Sequence, residues 1–121
     1  RSAVQARRMW KKAAEAGDVL AMIALGDDCM VSGKGPGAAL RYYRQAQTAA
    51  RPTPDIAYMP QVRLRMAQYE TQYLSRPRAL AEMAEAKQGF KIQLGEGDPA
   101  AEQWLQETED AIRRLLGDEK R

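Results

Sequence analysis

Residues 37–50 read GAALRYYRQAQTAA, and this stretch holds the pattern that decides the fold. Ala39, Tyr43 and Ala46 follow one another at spacings of four and three residues, which places them on one face of a helix. The order of sizes is small, large, small. Small side chains let a neighbouring helix approach closely, and the large one fills the gap between helices. The stretch therefore predicts a tightly packed helix.

The same small–large–small triplet occurs two more times in the chain. One copy lies 33 residues before the stretch quoted above, and another lies 40 residues after it. A period in the thirties that is built from helix pairs is typical of helical solenoids. The longer second interval coincides with a Pro-rich linker at residues 51–55. The two further copies are Ala6, Trp10, Ala13 and Ala79, Met83, Ala86.

Capping and breaking residues divide the chain into six predicted helices and leave no convincing strand. Gly17 and Gly117 are expected to end helices, and Asp18, Ser75 and Asp98 are expected to cap the helices that follow them. The predicted ranges are 3–16, 18–31, 37–50, 57–74, 75–94 and 98–116, of which the second, fifth and sixth begin at the capping residue.

Residues 10–18, WKKAAEAGD, resemble the end of a Sel-one-like repeat, a branch of the tetratricopeptide repeats. The pattern continues through Leu25-Gly26, the Gly-Lys-Gly loop that begins at residue 33, and the triplet that contains Tyr43. The resemblance is good over residues 3–50 and degenerate over 57–116, where the Leu-Gly pair is missing. Cys29 stands where the family usually has an aromatic residue.

The resemblance implies an all-α fold of about six antiparallel helices in three hairpins, stacked into a right-handed α–α superhelix with a concave groove. Residues 1–121 would then form a single domain that begins and ends on half repeats. The chain starts Arg-Ser-Ala-Val, without an initiator Met or a signal peptide. We therefore expect it to be part of a longer protein, whose other sequence sets its location in the cytoplasm or periplasm of a bacterium.

The chain has no histidine and one cysteine, Cys29. Catalytic triads and histidine metal sites are therefore excluded, and one cysteine forms neither an internal disulfide nor a thiolate zinc site. Cys29 falls on an apolar helical face, so we expect a buried packing residue and not a reactive thiol. We expect no catalytic residue, no metal ligand, no cofactor and no enzymatic activity.

Three other patterns resemble chemical sites but lack a required part. The loop at residues 33–37, GKGPG, lacks the P-loop spacing and a preceding strand, so we expect an ordinary inter-helix loop. Asp27 and Asp28 are adjacent and point about 100° apart on a helix, so they cannot easily share a proton. Glu82 and Glu85 share a face, but nothing in the sequence shields them, and we expect solvated carboxylates.

The formal charge of +3 is unevenly distributed. Residues 1–78 hold 13 Lys and Arg against 6 Asp and Glu, a charge of +7, and residues 79–121 hold 6 against 10, a charge of −4. A basic solenoid can follow a phosphate backbone, so nucleic-acid binding is an alternative. It is less favoured because no aromatic platform interleaves with the arginines. The longest apolar run, Val19–Leu25, is far shorter than the ~20 residues that span a bilayer, and we expect no membrane insertion.

The function implied by the resemblance is a protein–protein interaction module whose groove takes a peptide or helix of a partner protein. The alternative is an assembly role, in which the terminal half repeats dock onto the parent chain or a second copy. Family geometry places the partner-binding residues near the starts of the second and fourth helices and one or two turns later. They are Leu20, Ile23, Asp27, Met30 and Val31, then Gln61, Leu64, Gln68, Thr71 and Gln72.

Overall fold

The computed structural model describes residues 2–50, 59–69 and 75–119, and every regular element in these ranges is an α-helix. The all-α prediction is therefore confirmed for this part of the chain. Its helices are α1 Ser2–Glu15, α2 Val19–Val31, α3 Pro36–Ala50, α4 Met59–Tyr69, α5 Arg76–Gly95 and α6 Ala100–Glu119.

All six predicted helices are present, with their ends shifted by a few residues. The Pro-rich linker at residues 51–55 and both ends of the predicted fourth helix, residues 57–58 and 70–74, lie outside the described residues. The predicted end of the sixth helix at Gly117 is wrong, because α6 continues to Glu119. Glycine ends a helix by adopting a positive φ, and Gly117 is not among the residues that do so.

Packing divides the chain into two compact units, Arg1–Tyr58 and Met59–Arg121, called here unit 1 and unit 2. In unit 1, α2 packs against both α1 and α3. In unit 2, α5 packs against both α4 and α6. The expectation that residues 1–121 form one superhelical domain stays a prediction.

The three predicted N-terminal capping residues all accept hydrogen bonds from backbone N–H groups that a helix start leaves unpaired. Asp18 Oδ1 accepts from the Ala21 N–H at 3.2 Å, and Ser75 Oγ accepts from the Arg78 N–H at 3.3 Å. Asp98 Oδ1 accepts from the N–H of Ala100 at 3.0 Å. Each such cap is worth about 1 kcal/mol, which is why the signal is readable from local sequence alone.

One turn type joins α1 to α2 and α5 to α6. Gly17 and Gly97 adopt φ values of 96° and 95°, the left-handed region that glycine enters without a steric penalty. The N–H of the following aspartate then donates to a carbonyl in the last turn of the helix, Asp18 to Ala13 at 3.0 Å and Asp98 to Gln93 at 3.1 Å. Two helix ends 80 positions apart in sequence are therefore closed in the same way.

The core of unit 1 is built around Tyr43 of α3, whose side chain is fully buried. Ala39 and Ala46 on either side of it are 0 % exposed, so α2 can approach α3 closely, as the triplet predicts. The ring of Tyr43 lies against Gly26 of α2, and a Cβ at residue 26 would overlap it. Space therefore requires glycine at this position.

The first triplet, Ala6, Trp10 and Ala13, is half-buried, and the third, Ala79, Met83 and Ala86, is buried. None of the nine triplet side chains is fully exposed to solvent. The first triplet is less covered because α1, the first helix of unit 1, packs chiefly against α2.

The core of unit 2 follows a continuous line along α5. This helix has 20 residues, against 15 in α3, and the buried line extends one heptad beyond the predicted triplet. Phe90 on this line stacks on Trp104 of α6, with ring centroids 5.7 Å apart. Spacings of four, three, four and three residues thus give α5 one buried edge along its length. The line consists of Ala79, Met83, Ala86, Phe90 and Gln93.

Candidate protein-binding surface

Helix α2 is apolar around nearly its whole circumference. Its sequence, VLAMIALGDDCMV, carries only two charged residues, Asp27 and Asp28. A helix of this composition is normally covered on every side. In unit 1, one side of α2 stays uncovered. The residues of α2 that are buried are Val19, Ala21, Met22, Ile23, Leu25, Gly26 and Cys29.

The uncovered side of α2 is a stripe that consists of Leu20, Ala24, Asp27 and Val31, and it is called here the α2 face. At 100° per residue, these four positions lie within about 60° of one another. The side chain of Val31 is 88 % exposed and that of Leu20 is 38 % exposed, whereas Ala24 and Asp27 are half-buried. The α2 face is thus an apolar surface that contains a single carboxylate.

The two adjacent carboxylates of α2 bind to opposite neighbours. The hydroxyl of Tyr43 on α3 donates to Asp27 Oδ1 at 2.5 Å. Arg7 on α1 donates from Nε to Asp28 Oδ2 at 2.8 Å and from Nη2 to Asp28 Oδ1 at 3.2 Å. The pair is thus divided between two helices, in agreement with the prediction that these carboxylates do not share a proton. Helix α2 is held from both sides, so its uncovered face is presented in a fixed orientation.

The ion pair between α1 and α2 changes the titration of both groups. The hydrogen bond from Arg7 is the main reason that the pKa of the Asp28 carboxyl lies below its ordinary value. The same hydrogen bond raises the pKa of the Arg7 guanidinium. The contact that orients α1 against α2 is therefore weakened in acid.

Of the predicted partner-binding residues of α2, the structure brings Leu20, Asp27 and Val31 together on the α2 face. Met30 is half-buried at the edge of this face. Ile23 is 2 % exposed and belongs to the core, so the prediction that it contacts a partner at the surface is wrong. Ala24 belongs to the face and was not predicted, although its place one turn after Leu20 is the signal that identifies it.

The predicted residues of α4 are mostly not at the surface. Gln61 and Leu64 are 4 % and 0 % exposed, so the prediction that they contact a partner is also wrong. Gln68 is half-buried, and its Oε1 accepts a hydrogen bond from Arg65 Nη1 at 2.9 Å. Thr71 and Gln72 lie outside the described residues. The α4 part of the predicted site therefore offers little area for a partner.

Polar contacts inside unit 2 explain why α4 is so well covered. The guanidinium of Arg65 lies 4.9 Å from the ring centroid of Trp104 and 3.2 Å from Glu107 Oε1, both on α6. Arg65 is only 7 % exposed, so these partners offset the cost of burying its charge. It works as a packing residue that joins α4 to α6.

The other candidate sites in the sequence also have structural roles. Arg63 Nη1 lies 3.3 Å from Glu82 Oε1 and 3.8 Å from Glu85 Oε2, so one cation lies near both carboxylates, and the side chain of Glu85 stays largely exposed to solvent. In the Gly-rich loop, the backbone N–H groups of Lys34 and Gly35 both donate to the carbonyl of Cys29, so they do not form a phosphate cradle. The prediction that Cys29 is buried is confirmed.

The described residues contain no group of three or more His, Cys, Asp or Glu side chains placed to hold a metal ion. Across the same ranges, no helix combines the length and apolar character needed to cross a bilayer. When the chain is compared with protein-family models, with curated proteins and with solved structures, none of the three comparisons gives a match.

Proposed function

We propose that the chain is a non-catalytic protein–protein interaction module of the tetratricopeptide type, which holds a helix or peptide of a partner protein against the α2 face. The observation that supports this most directly is the mismatch between the composition of α2 and its coverage. The helix is apolar apart from Asp27 and Asp28, yet Val31 remains 88 % exposed and Leu20 38 % exposed.

A partner would gain binding free energy mainly by removing this apolar stripe from water. Full burial of one Val or Leu side chain is worth about 1.5–3 kcal/mol. Leu20 and Val31 lie three helical turns apart, which suits a partner segment that runs along the face and contacts both ends. The orientation of α2 is already fixed by Asp27 and Asp28, so little ordering of this surface would oppose binding.

The proposal can be tested with a photo-crosslinking amino acid placed at residue 31, in cells that express the chain. A crosslinked partner should form from position 31. It should not form from the same amino acid at Ile92, an exposed apolar residue of α5 that is 62 % exposed. Titration calorimetry with the identified partner should then show at least about tenfold weaker binding by a Leu20→Asp, Val31→Asp double variant.

The matched control is Ile92→Asp, which adds a charge at an exposed apolar site outside the α2 face. It should bind the partner with unchanged affinity. Equal crosslinking from positions 31 and 92, or full affinity in the double variant, would remove the α2 face as the binding surface.

An assembly role is the second candidate, because the first helix also exposes apolar side chains. Val4 and Met9 of α1 are 47 % and 70 % exposed. If they contact a second copy of the chain, sedimentation should show a dimer that Val4→Ser, Met9→Gln dissociates. A monomer at all concentrations and salt levels would exclude contact with a second copy.

A further inference from the structure

One flank of α5 is covered by α4. Arg63 Nη1 of α4 lies 3.3 Å from Glu82 Oε1 and 3.8 Å from Glu85 Oε2, which are both on that flank. Farther along the flank, Pro60 of α4 lies against Gly89, where an added Cβ would overlap the proline ring. The triplet of α5, which lies beside this flank, is buried.

The same flank of α1 is uncovered. Met83, the large residue of the α5 triplet, lies 73 residues after Trp10 in the α1 triplet. The positions that α4 contacts on α5 therefore correspond to Met9 and Lys12 of α1 and to Ala16 just after it. All three residues are exposed, and Met9 is 70 % exposed. Lys12 forms no salt bridge within the described residues.

One side of α6 is uncovered as well. Helices α2 and α6 follow the same type of glycine turn, 80 residues apart, so their positions can be matched directly. On α2, Gly26 lies against Tyr43 of α3, and Met22 on the same side is 8 % exposed. The matching residues of α6, Glu102 and Gln106, are both exposed. In the part of the chain that the structure describes, no helix covers this side of α6.

Two helix pairs inside the chain show which positions meet when two such sides come together. In unit 1, Met22 of α2 and Gln45 of α3 line the same groove. In unit 2, the corresponding contact is the ion pair between Arg63 of α4 and Glu85 of α5. In both pairs, the residue on the triplet helix follows the large residue of the triplet by two positions.

The uncovered sides of α1 and α6 carry opposite charges at these positions. Lys12 follows the large residue of the α1 triplet by two positions, and Glu102 takes the matching place on α6. Pro99 precedes Glu102 by three residues, as Pro60 precedes Arg63. A lysine facing a glutamate would therefore replace the arginine and glutamate of unit 2 with the signs exchanged between the two helices.

We infer that α6 of one copy of the chain packs against α1 of a second copy, in the way that α4 packs against α5. Glu102 of the first copy pairs with Lys12 of the second, and Pro99 lies against Ala16. The contact is heterologous, because each copy uses two different surfaces. Since the facing residues of α6 are polar, the contact is weak and sensitive to salt. The inference specifies the assembly role given above as the second candidate, and it does not depend on the α2 face.

The test compares the full chain with two charge-reversed variants, Lys12→Glu and Glu102→Lys. Sedimentation velocity over a concentration series should show that the wild type self-associates and that high salt weakens the association. Each variant alone should self-associate at least about threefold more weakly, because like charges then face each other.

An equimolar mixture of the two variants should recover the association of the wild type. One contact between the variant chains is the original lysine–glutamate pair, and the other is the same pair with its members exchanged. Recovery would also show that both variants are folded, so a loss in the separate samples could not be ascribed to unfolding.

The matched control is Lys11→Glu, which reverses an exposed charge that points about 100° away from Lys12 on the helix. It should self-associate like the wild type. An equal loss in this control would move the contact to another side of α1, and a loss in the Leu20→Asp, Val31→Asp variant would assign it to the α2 face. Either result overturns the inference.

Two further results would also overturn it. One is a monomeric wild type at every concentration in low salt, and the other is a mixture that associates as weakly as its separate components. Neither result would bear on the α2 face as a surface for a partner protein, because the crosslinking experiment tests that surface separately.

Discussion

Units 1 and 2 solve the same packing problem with different side chains. In unit 1 the large residue between the helices is Tyr43, a rigid ring that lies against Gly26. In unit 2 the equivalent triplet position is Met83, which shares a buried cluster with Ala67 of α4. A flexible thioether can bend around one methyl group, whereas a ring cannot. The comparison indicates that the residue tolerated at position 26 depends on the side chain at position 43.

The largest expected effect comes from Gly26→Ala. The added Cβ overlaps the ring of Tyr43, which is fully buried and tied to Asp27 through its hydroxyl, so the helices must separate. We expect unit 1 to lose about 3 kcal/mol of stability, at the upper end of the cost of overpacking. The chain holds one tryptophan in each unit, so Trp10 fluorescence in a Trp104→Phe background reports urea unfolding of unit 1 alone.

Ala67 and Met83 of unit 2 suggest a control for the loss of stability expected from Gly26→Ala. Gly26→Ala combined with Tyr43→Met places an alanine and a methionine where unit 1 has glycine and tyrosine. The double variant should be more stable than the sum of the two single changes by about 1–2 kcal/mol. Simple additivity would show that ring and glycine are not coupled.

A smaller effect is expected from Tyr43→Phe, which keeps the ring and removes the hydrogen bond to Asp27. A hydrogen bond to a charged group contributes about 1.5–3 kcal/mol, and the half-exposed carboxylate keeps access to water, so we expect a loss near the lower limit. Met83 has no hydroxyl, so unit 2 has no counterpart of this bond. Urea unfolding followed by Trp10 fluorescence measures the stability that Tyr43→Phe removes. A stability equal to that of the wild type would show that the hydrogen bond to Asp27 makes no net contribution.

The smallest effect is the dependence of unit 1 on pH. The pKa of Asp28 is lowered in the folded chain by Arg7, so its contribution to stability is present above the unfolded pKa of about 4. That contribution is lost as the pH falls through the lower folded pKa. Asp28→Asn should therefore destabilise unit 1 at pH 7, and the difference from wild type should shrink as the pH falls below 4.

A matched carboxylate in unit 2 separates this effect from general acid denaturation. Hydrogen bonds from Arg113 and Gln106 lower the pKa of Asp110 on α6. Asp110→Asn should leave the Trp10 transition unchanged at every pH. If both variants alter that transition equally, the pH dependence of unit 1 does not come from the contact between α1 and α2.

The features that could be read from sequence are those set by local chemistry. The triplet around Tyr43 follows from helix periodicity, and the caps at Asp18 and Ser75 follow from unpaired N–H groups at helix starts. Both depend on residues a few positions apart. The end of α6 could not be read this way, because Gly117 permits a helix end without requiring one.

The proposed binding surface was only partly predictable, for a physical reason. Because α2 is apolar around nearly its whole circumference, its sequence does not reveal which side its neighbours cover, and the prediction that Ile23 lies at the surface is wrong. In α4, the burial of Arg65 depends on Trp104 and Glu107, which lie about 40 residues away in sequence. Such long-range partners cannot be identified from a local pattern.

The buried line of α5 bears on how a helix of this kind tolerates insertions and deletions. Seven residues turn a helix through nearly two whole revolutions and move its apolar edge by only about 20°. An insertion or deletion of seven residues in α5 therefore leaves the same edge facing its neighbours, whereas a change of two or five rotates it by well over 100° toward water. We therefore expect such a helix to tolerate changes in length of seven residues better than changes of two or five.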